Sequence, residues 1–155
     1  MRILAIETSA LECSVALLDG DTILGEFSVN NKKTHSQMLM PMLSDLMDRS
    51  GVIIDSVDAI AVAGGPGSFT GLRIGSATAK GLADALNKPI VSVPTVDALA
   101  YNLFGSGELV CPMMDARRDQ TYTGIYAFTE GEMQTLLPQC AISVAELVEK
   151  LIADL

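Results

Sequence analysis

The feature that most constrains this chain is a pattern it runs through twice, three short apolar strands joined by tight polar turns and then an amphipathic helix. The first pass opens with Met1-Arg2-Ile3-Leu4-Ala5-Ile6-Glu7 and turns over residues 8–12. It returns over 13–18 and turns again at Asp19-Gly20-Asp21 into 22–29. Apolar runs of this length between turn residues read as strands, and connections this short make consecutive strands antiparallel neighbours. A helix follows, with Thr34 and Gln37 at capping-box spacing and Gly51 placed to end it. Then come a strand over 58–63, a glycine-rich loop over 64–68, a helix over 70–86 and a fifth strand over 89–93. Ser92 or Thr95 is placed to cap a short third helix reaching Phe104.

The second pass repeats the opening. Residues 109–114 read as a strand, 115–120 as a polar turn, 121–128 as the return strand, and 133–137 as a third strand after Glu130-Gly131-Glu132. Ser143 and Glu146 then cap a helix to about Ala153. Three hairpin-connected strands followed by helix, strand, helix and strand are the element order of the ribonuclease H-like fold. This α/β architecture has a mixed sheet flanked by helices, antiparallel at one side and parallel at the other. The second pass lacks its last strand–helix–strand, and about fifty residues in that order do not close a sheet core alone. The expected organisation is one ribonuclease H-like domain over 1–104 and an incomplete, truncated second copy over 105–155.

Ten Lys and Arg stand against nineteen Asp and Glu, a net charge of −9. Such a field repels phosphate backbones, and the basic pairs Lys32-Lys33 and Arg117-Arg118 are too small to reverse it. Apolar runs are short and broken by Gly or Pro, which excludes a membrane span, and the N-terminal run reaches Glu7 too soon for a signal peptide. Cys13, Cys111 and Cys140 are odd in number and widely spaced, as reduced core residues of a cytoplasmic protein are.

Gly64-Gly65-Pro66-Gly67-Ser68 joins a strand to a helix, where bare backbone and a helix N-terminus favour anions. It lacks the closing Lys-Ser/Thr of a P-loop and the spacing of a dinucleotide motif, so a tight packing turn is the stronger reading. Inside the helix Gly71, Gly75, Ala79 and Ala83 recur every four positions beside Leu72, a bare ridge that admits another helix closely. The first helix offers Met38, Leu39, Met40, Met42, Leu43, Leu46 and Met47 over an arc of about 200°, wider than the stripe a helix needs for its own core. The expected dimer or partner interface is therefore Met38, Leu39, Met42, Leu43, Leu46 and Met47 with Gly71, Leu72, Gly75, Ala79 and Ala83; a helix sandwiched within its own chain is the plainer alternative. Pro41, on the polar face, is expected to kink the helix.

No catalytic set assembles from the sequence. His35 is the one histidine, in the first turn of a helix, and no metal-ligand cluster or Ser–His–acid arrangement accompanies it. Glu7 and Asp115 end equivalent strands of the two passes, where a nucleotide cleft would place magnesium-organising acids. The turns beside them, Thr8-Ser9-Ala10-Leu11 and Ala116-Arg117-Arg118-Asp119, contain no glycine to point backbone N–H groups inward. Glu7, Thr8, Ser9 and Asp115 thus read as a degenerate nucleotide-site remnant.

Ile6-Glu7-Thr8-Ser9, the run from Gly64 through Ser68-Phe69-Thr70-Gly71-Leu72-Arg73-Ile74 to Gly75, and Met114-Asp115-Ala116-Arg117-Arg118-Asp119-Gln120 together resemble the TsaB (YeaZ) family, in order over the whole chain. The resemblance implies the fold of the acetate kinase–hsp70–actin (ASKHA) superfamily and paralogy to the TsaD transferase. It implies a non-catalytic scaffold for threonylcarbamoylation of adenosine 37 (t6A37) in tRNAs that read codons beginning with A. The implied partners are TsaD through helices of the first domain, TsaE, a second copy of the chain, and tRNA only indirectly. ATP is used by the complex and none is bound tightly by this chain. TsaD-type enzymes carry a His-x-x-x-His metal site after the fifth strand; here Thr95 and Leu99 stand at the two histidine positions. The alternative is a degenerate ATPase or small-molecule kinase of the same superfamily.

Overall fold

The computed structural model describes residues 1–30 and 34–153, so Asn31, Lys32 and Lys33 lie outside the described residues. The chain divides into two compact units, Met1–Val93 and Pro94–Leu155.

The first unit holds β1 (Arg2–Glu7), β2 (Cys13–Asp19), β3 (Thr22–Val29), α1 (His35–Ser50), a 3₁₀ turn at Ile54–Ser56, β4 (Ala59–Gly65), α2 (Phe69–Leu86) and β5 (Ile90–Pro94). Its five-stranded sheet runs β3-β2-β1-β4-β5. β1 is antiparallel to β2, with Ala5 opposite Ala16, and parallel to β4, with Ile3 opposite Ala59. This is the mixed sheet of the ribonuclease H-like fold. Alternation along the strands turns Leu4, Ile6, Cys13, Val15 and Leu17 into one core, where they meet Leu39, Met42, Leu43, Leu46 and Met47 of α1. The buried positions of α1 fall at i, i+3, i+4, i+7 and i+8, one face of a helix. Met40 and Pro41 lie on the opposite, exposed side, and α1 continues through the proline for its full sixteen residues. β3 makes room for the helix at Gly25, where a Cβ would stand 2.7 Å from Leu46 Cδ1.

Gly51 ends α1 in the left-handed conformation, φ 67°, where glycine is favoured. The expected capping box at its other end does not form. The Thr34 carbonyl accepts from the Gln37 N–H at 2.9 Å, while the Thr34 hydroxyl lies 3.0 Å from Ser36 Oγ.

The second unit holds α3 (Thr95–Ala100), a 3₁₀ turn at Tyr101–Leu103, β6 (Met113–Arg117), β7 (Gln120–Thr129), β8 (Glu132–Ser143) and α4 (Val144–Ala153). Its sheet is the antiparallel order β6-β7-β8. Val96 and Ala100 of α3 pack with Val110 and Tyr126, which places the division at Val93/Pro94 instead of the expected 104/105. Tyr126 is fully buried and its hydroxyl donates to Asp97 Oδ1 at 2.6 Å. Gly124, two residues back on the same face, leaves space for that hydroxyl; a Cβ there would stand 2.5 Å from it.

Three sequence expectations shift here. The strand expected over 109–114 reduces to one bridge, Val110 with Tyr126, and β6 begins only after Pro112, which has no N–H for a ladder. β6 then continues through Asp115 to Arg117, so the polar turn shrinks to Arg118-Asp119, both left-handed (φ 54° and 59°), as a two-residue hairpin of the I′ kind requires. β8 runs past residue 137 to Ser143. Thr123 pairs with Cys140 and Ile125 with Leu137, so one extra residue bulges from β8 beside Pro138 and spares the proline a ladder bond. The expected capping box of α4 is formed, Glu146 N donating to Ser143 Oγ at 3.2 Å and Ser143 N to Glu146 Oε2 at 2.9 Å.

Leu46→Ala, which empties a site that is 1% exposed, should cost about 2–5 kcal/mol in urea unfolding, whereas Met40→Ala should stay within about 0.5 kcal/mol. Burial, with the hydrogen bond to Asp97, pushes the Tyr126 hydroxyl well above its ordinary titration range. The unfolded chain loses that proton near pH 10 and the folded chain keeps it, so Tyr126 contributes stability below pH 10 that is lost as pH rises further. Tyr126→Phe should cost about 1.5–3 kcal/mol at neutral pH and flatten the alkaline decline measured between pH 9 and 11.

Candidate functional site

The glycine-rich joint between β4 and α2 is filled by the chain's own backbone. β1 ends at Glu7, and Thr8-Ser9 turns directly beneath the joint. Ser68 N donates to the Ser9 carbonyl at 2.6 Å, and Ser68 Oγ caps α2 by accepting from Gly71 N at 3.2 Å. A Cβ on Gly67 would lie 2.5 Å from the Ser9 carbonyl oxygen, one on Gly71 1.9 Å from the Thr8 carbonyl oxygen, and one on Gly75 2.3 Å from Thr8 Oγ1. Real Cβ atoms do not approach so closely, so the glycines set the distance between helix and strand end. The Thr8 hydroxyl completes the contact by donating to the Gly71 carbonyl at 2.8 Å. These glycines serve packing, as the absence of a nucleotide-loop spacing suggests.

The two carboxylates of the expected nucleotide remnant belong to different units and each caps a local turn. Glu7 accepts from Ser9 N, and Asp115 Oδ1 accepts from Arg117 N at 2.7 Å. Thr8 and Ser9 are both buried, and Ser9 Oγ has no hydrogen-bond partner among the described residues. His35 Nε2 donates to the Ala10 carbonyl at 2.9 Å and so fastens the same turn to the start of α1. Thr95 is buried at the start of α3 and Leu99 lies on its exposed side. Among the described residues, no three His, Cys, Asp or Glu side chains gather as a metal-ligand set.

The expected interface needs correction. Leu39, Met42, Leu43, Leu46 and Met47 lie inside the core of their own unit, with Met38 packed at its edge. Gly71, Gly75, Ala79 and Ala83 are buried as well, and Leu72 is half-buried. β2, β3 and α2 of the same unit pack against α1, and the bare ridge of α2 receives Thr8 at Gly71 and Gly75 while Ala79 and Ala83 join the core that α1 shares.

Sequence reading missed a second stripe. On the opposite side of α2, Ala77, Gly81 and Ala85 are all exposed at four-residue intervals, and nothing lies within 4 Å of the place a Gly81 Cβ would take. At the N-terminal end of this helix Phe69 is 69% exposed, with the Arg73 guanidinium 4.0 Å above its ring. The regularity of 77-81-85 was legible, but the ridge 71-75-79-83 masked it. Near the C-terminal end of α2, a shallow cavity of about 660 Å³ opens beside Lys80 and Lys88, away from the joint.

The model of the TsaD family (tRNA N6-adenosine threonylcarbamoyltransferase) matches residues 22–154. The TsaB protein of Bacillus subtilis, a tRNA threonylcarbamoyladenosine biosynthesis protein, is 39% identical over 97% of this chain and 66% of its own length. That of Escherichia coli is 37% identical over 84% of this chain and 57% of its own. The solved structure of YeaZ from Pseudomonas aeruginosa superposes with a TM-score of 0.83 at 38% identity, over 91% of this chain and 67% of that one. The chain belongs to the TsaB (YeaZ) family. It spans 57–66% of the length of these two TsaB relatives.

In this TsaB-family chain the two small-residue stripes of α2 should respond oppositely to added bulk. Gly75→Leu forces a side chain into Thr8 and should destabilise by at least about 1–3 kcal/mol. Gly81→Ala fills open space in a helix interior and should stabilise by about 0.5–1 kcal/mol. Thermal or urea unfolding of both variants decides the matter, and a destabilised Gly81→Ala would show that this side of α2 is not open.

Proposed function

We propose that this chain acts without catalysing the reaction itself, as a scaffold and activating partner for threonylcarbamoylation of adenosine 37 in tRNAs reading codons that begin with A. In this reading it pairs with a TsaD-type transferase and works in the cytoplasm with a TsaE-type ATPase. The assembled complex, not this chain, uses ATP, and tRNA is engaged only through the partners. The observation that carries the proposal is the joint between β4 and α2. Thr8 and Ser9, in the turn where a phosphate-binding hairpin would need glycines, are buried against Gly67, Gly71 and Gly75, and the neighbouring carboxylate is held by Ser9 N. The family relatives named for tRNA threonylcarbamoyladenosine biosynthesis support the pathway.

Association is assigned to the outward side of α2, where Ala77, Gly81 and Ala85 let a second helix approach closely. Arg73 and Asp84 stand toward opposite ends of that side and would face each other across an antiparallel pair, which suits a second copy of the chain.

Light scattering after size-exclusion chromatography, on the chain alone and mixed with a TsaD-type transferase, tests the reading. The expected result is a dimer that exchanges into a one-to-one complex. Ala77→Trp should weaken both associations at least tenfold while the circular dichroism melt stays within a few degrees. A chain that ignores the transferase would remove the scaffold role, and micromolar ATP–magnesium binding by the chain alone would favour the degenerate ATPase.

A further inference from the structure

The second unit exposes a platform of aromatic rings. The tight turn after α3, closed by Phe104 N donating to the Tyr101 carbonyl at 3.0 Å, stacks Tyr101 on Phe104 with centroids 6.1 Å apart and planes within 12°. Both rings stand edge-on to Phe128 of β7, at 5.7 and 5.4 Å. Phe128 is half-buried against the core of Val96, Ala100, Val110 and Tyr126 and roots the group. Tyr101 and Phe104 remain 52% and 57% exposed, and Leu103 between them 58%. Three of the chain's seven Phe and Tyr residues thus share one spot where each ring contacts the other two.

The charged residues that strand register and the β7–β8 turn place beside this spot are acidic. Glu130 sits in the turn after β7, and Glu132 begins β8 opposite Thr129, the residue after Phe128. Glu108 precedes Val110 by two residues, and Phe128 follows Tyr126 by two; the antiparallel Val110–Tyr126 bridge therefore sets Glu108 level with Phe128. No Lys, Arg or His occurs between Lys88 and Arg117. The basic pair Arg117-Arg118 stands at the far end of β7, where Arg117 pairs with Gln120, eight residues and about 27 Å along the strand from Phe128.

We propose that this platform is a docking site for an arginine-bearing segment of a partner protein. A guanidinium is planar and weakly hydrated; it stacks on ring faces while its N–H fork reaches carboxylates. Rigid aromatic anchors ringed by complementary charge are what interface hot spots are made of. The spot is built from residues of the second unit alone, and the proposal does not rest on the α2 face.

The test titrates fluorescent hexa-arginine amide into the full chain at 150 mM salt, with hexa-lysine amide and hexa-uridylate beside it. Hexa-arginine is expected to bind most tightly. Tyr101→Leu/Phe104→Leu, which keeps apolar bulk and removes the rings, should weaken it at least tenfold, and Glu108→Gln/Glu130→Gln/Glu132→Gln about as much. Asp119→Asn and Glu149→Gln should leave it within twofold. Equal affinity in the ring variant would overturn the proposal in favour of bulk charge. Tighter hexa-uridylate would overturn it in favour of a single-stranded nucleic acid. A dimer of the wild-type chain that dissociates in the ring variant would assign the platform to a second copy instead.

Discussion

The close approach of α2 to the end of β1 governs the first unit. It exists because Gly71 and Gly75 present no side chains to Thr8, whose carbonyl and hydroxyl oxygens occupy the space two Cβ atoms would need. From that contact follow the position of α2 over the sheet, the burial of Ala79 and Ala83 further along the same stripe, and the seating of Ser9 under Ser68. The glycines cost helix propensity, roughly 1 kcal/mol each, and close packing with the Thr8–Gly71 hydrogen bond offsets it. The same contact has a chemical consequence. Backbone surface that could meet a ligand's phosphate meets the protein itself.

Much of this was legible in the sequence, and the failures share a cause. Alternation in β1 and β2, the turn at Asp19-Gly20-Asp21, Gly51 as a helix stop and the Ser143–Glu146 box are local, and each element reports on itself. What could not be read locally was what lies over a surface. The width of the apolar arc on α1 suggested a partner because the sequence does not show that β2, β3 and α2 pack against it. The ridge 71-75-79-83 gave the close approach, but not that Thr8 would be what Gly71 and Gly75 approach. Strand ends at Pro112 and Pro138 slipped because a proline's tolerance depends on whether its missing N–H falls in a ladder or a bulge.

The two units handle exposed apolar surface differently. In the first, α1 turns Leu39, Met42, Leu43, Leu46 and Met47 inward, and α2 leaves Ala77, Gly81 and Ala85 outward, a surface suited to helix contact at short range. In the second, large rings stand outward on a small core, a surface suited to anchoring a few side chains.

The register of β1 carries a consequence for how this chain reaches its fold. Its antiparallel partner β2 follows after a short turn, but its parallel partner β4 pairs Ala59 with Ile3, after α1 and two more strands have been traversed. Among its described residues the second unit has no such pairing; β6, β7 and β8 join through two-residue turns. Closing a long loop before its contacts form is an entropic barrier that local hairpins avoid. The sheet of the first unit is therefore the slower to assemble, and until β4 arrives the outer edge of β1 is open to any other strand it meets.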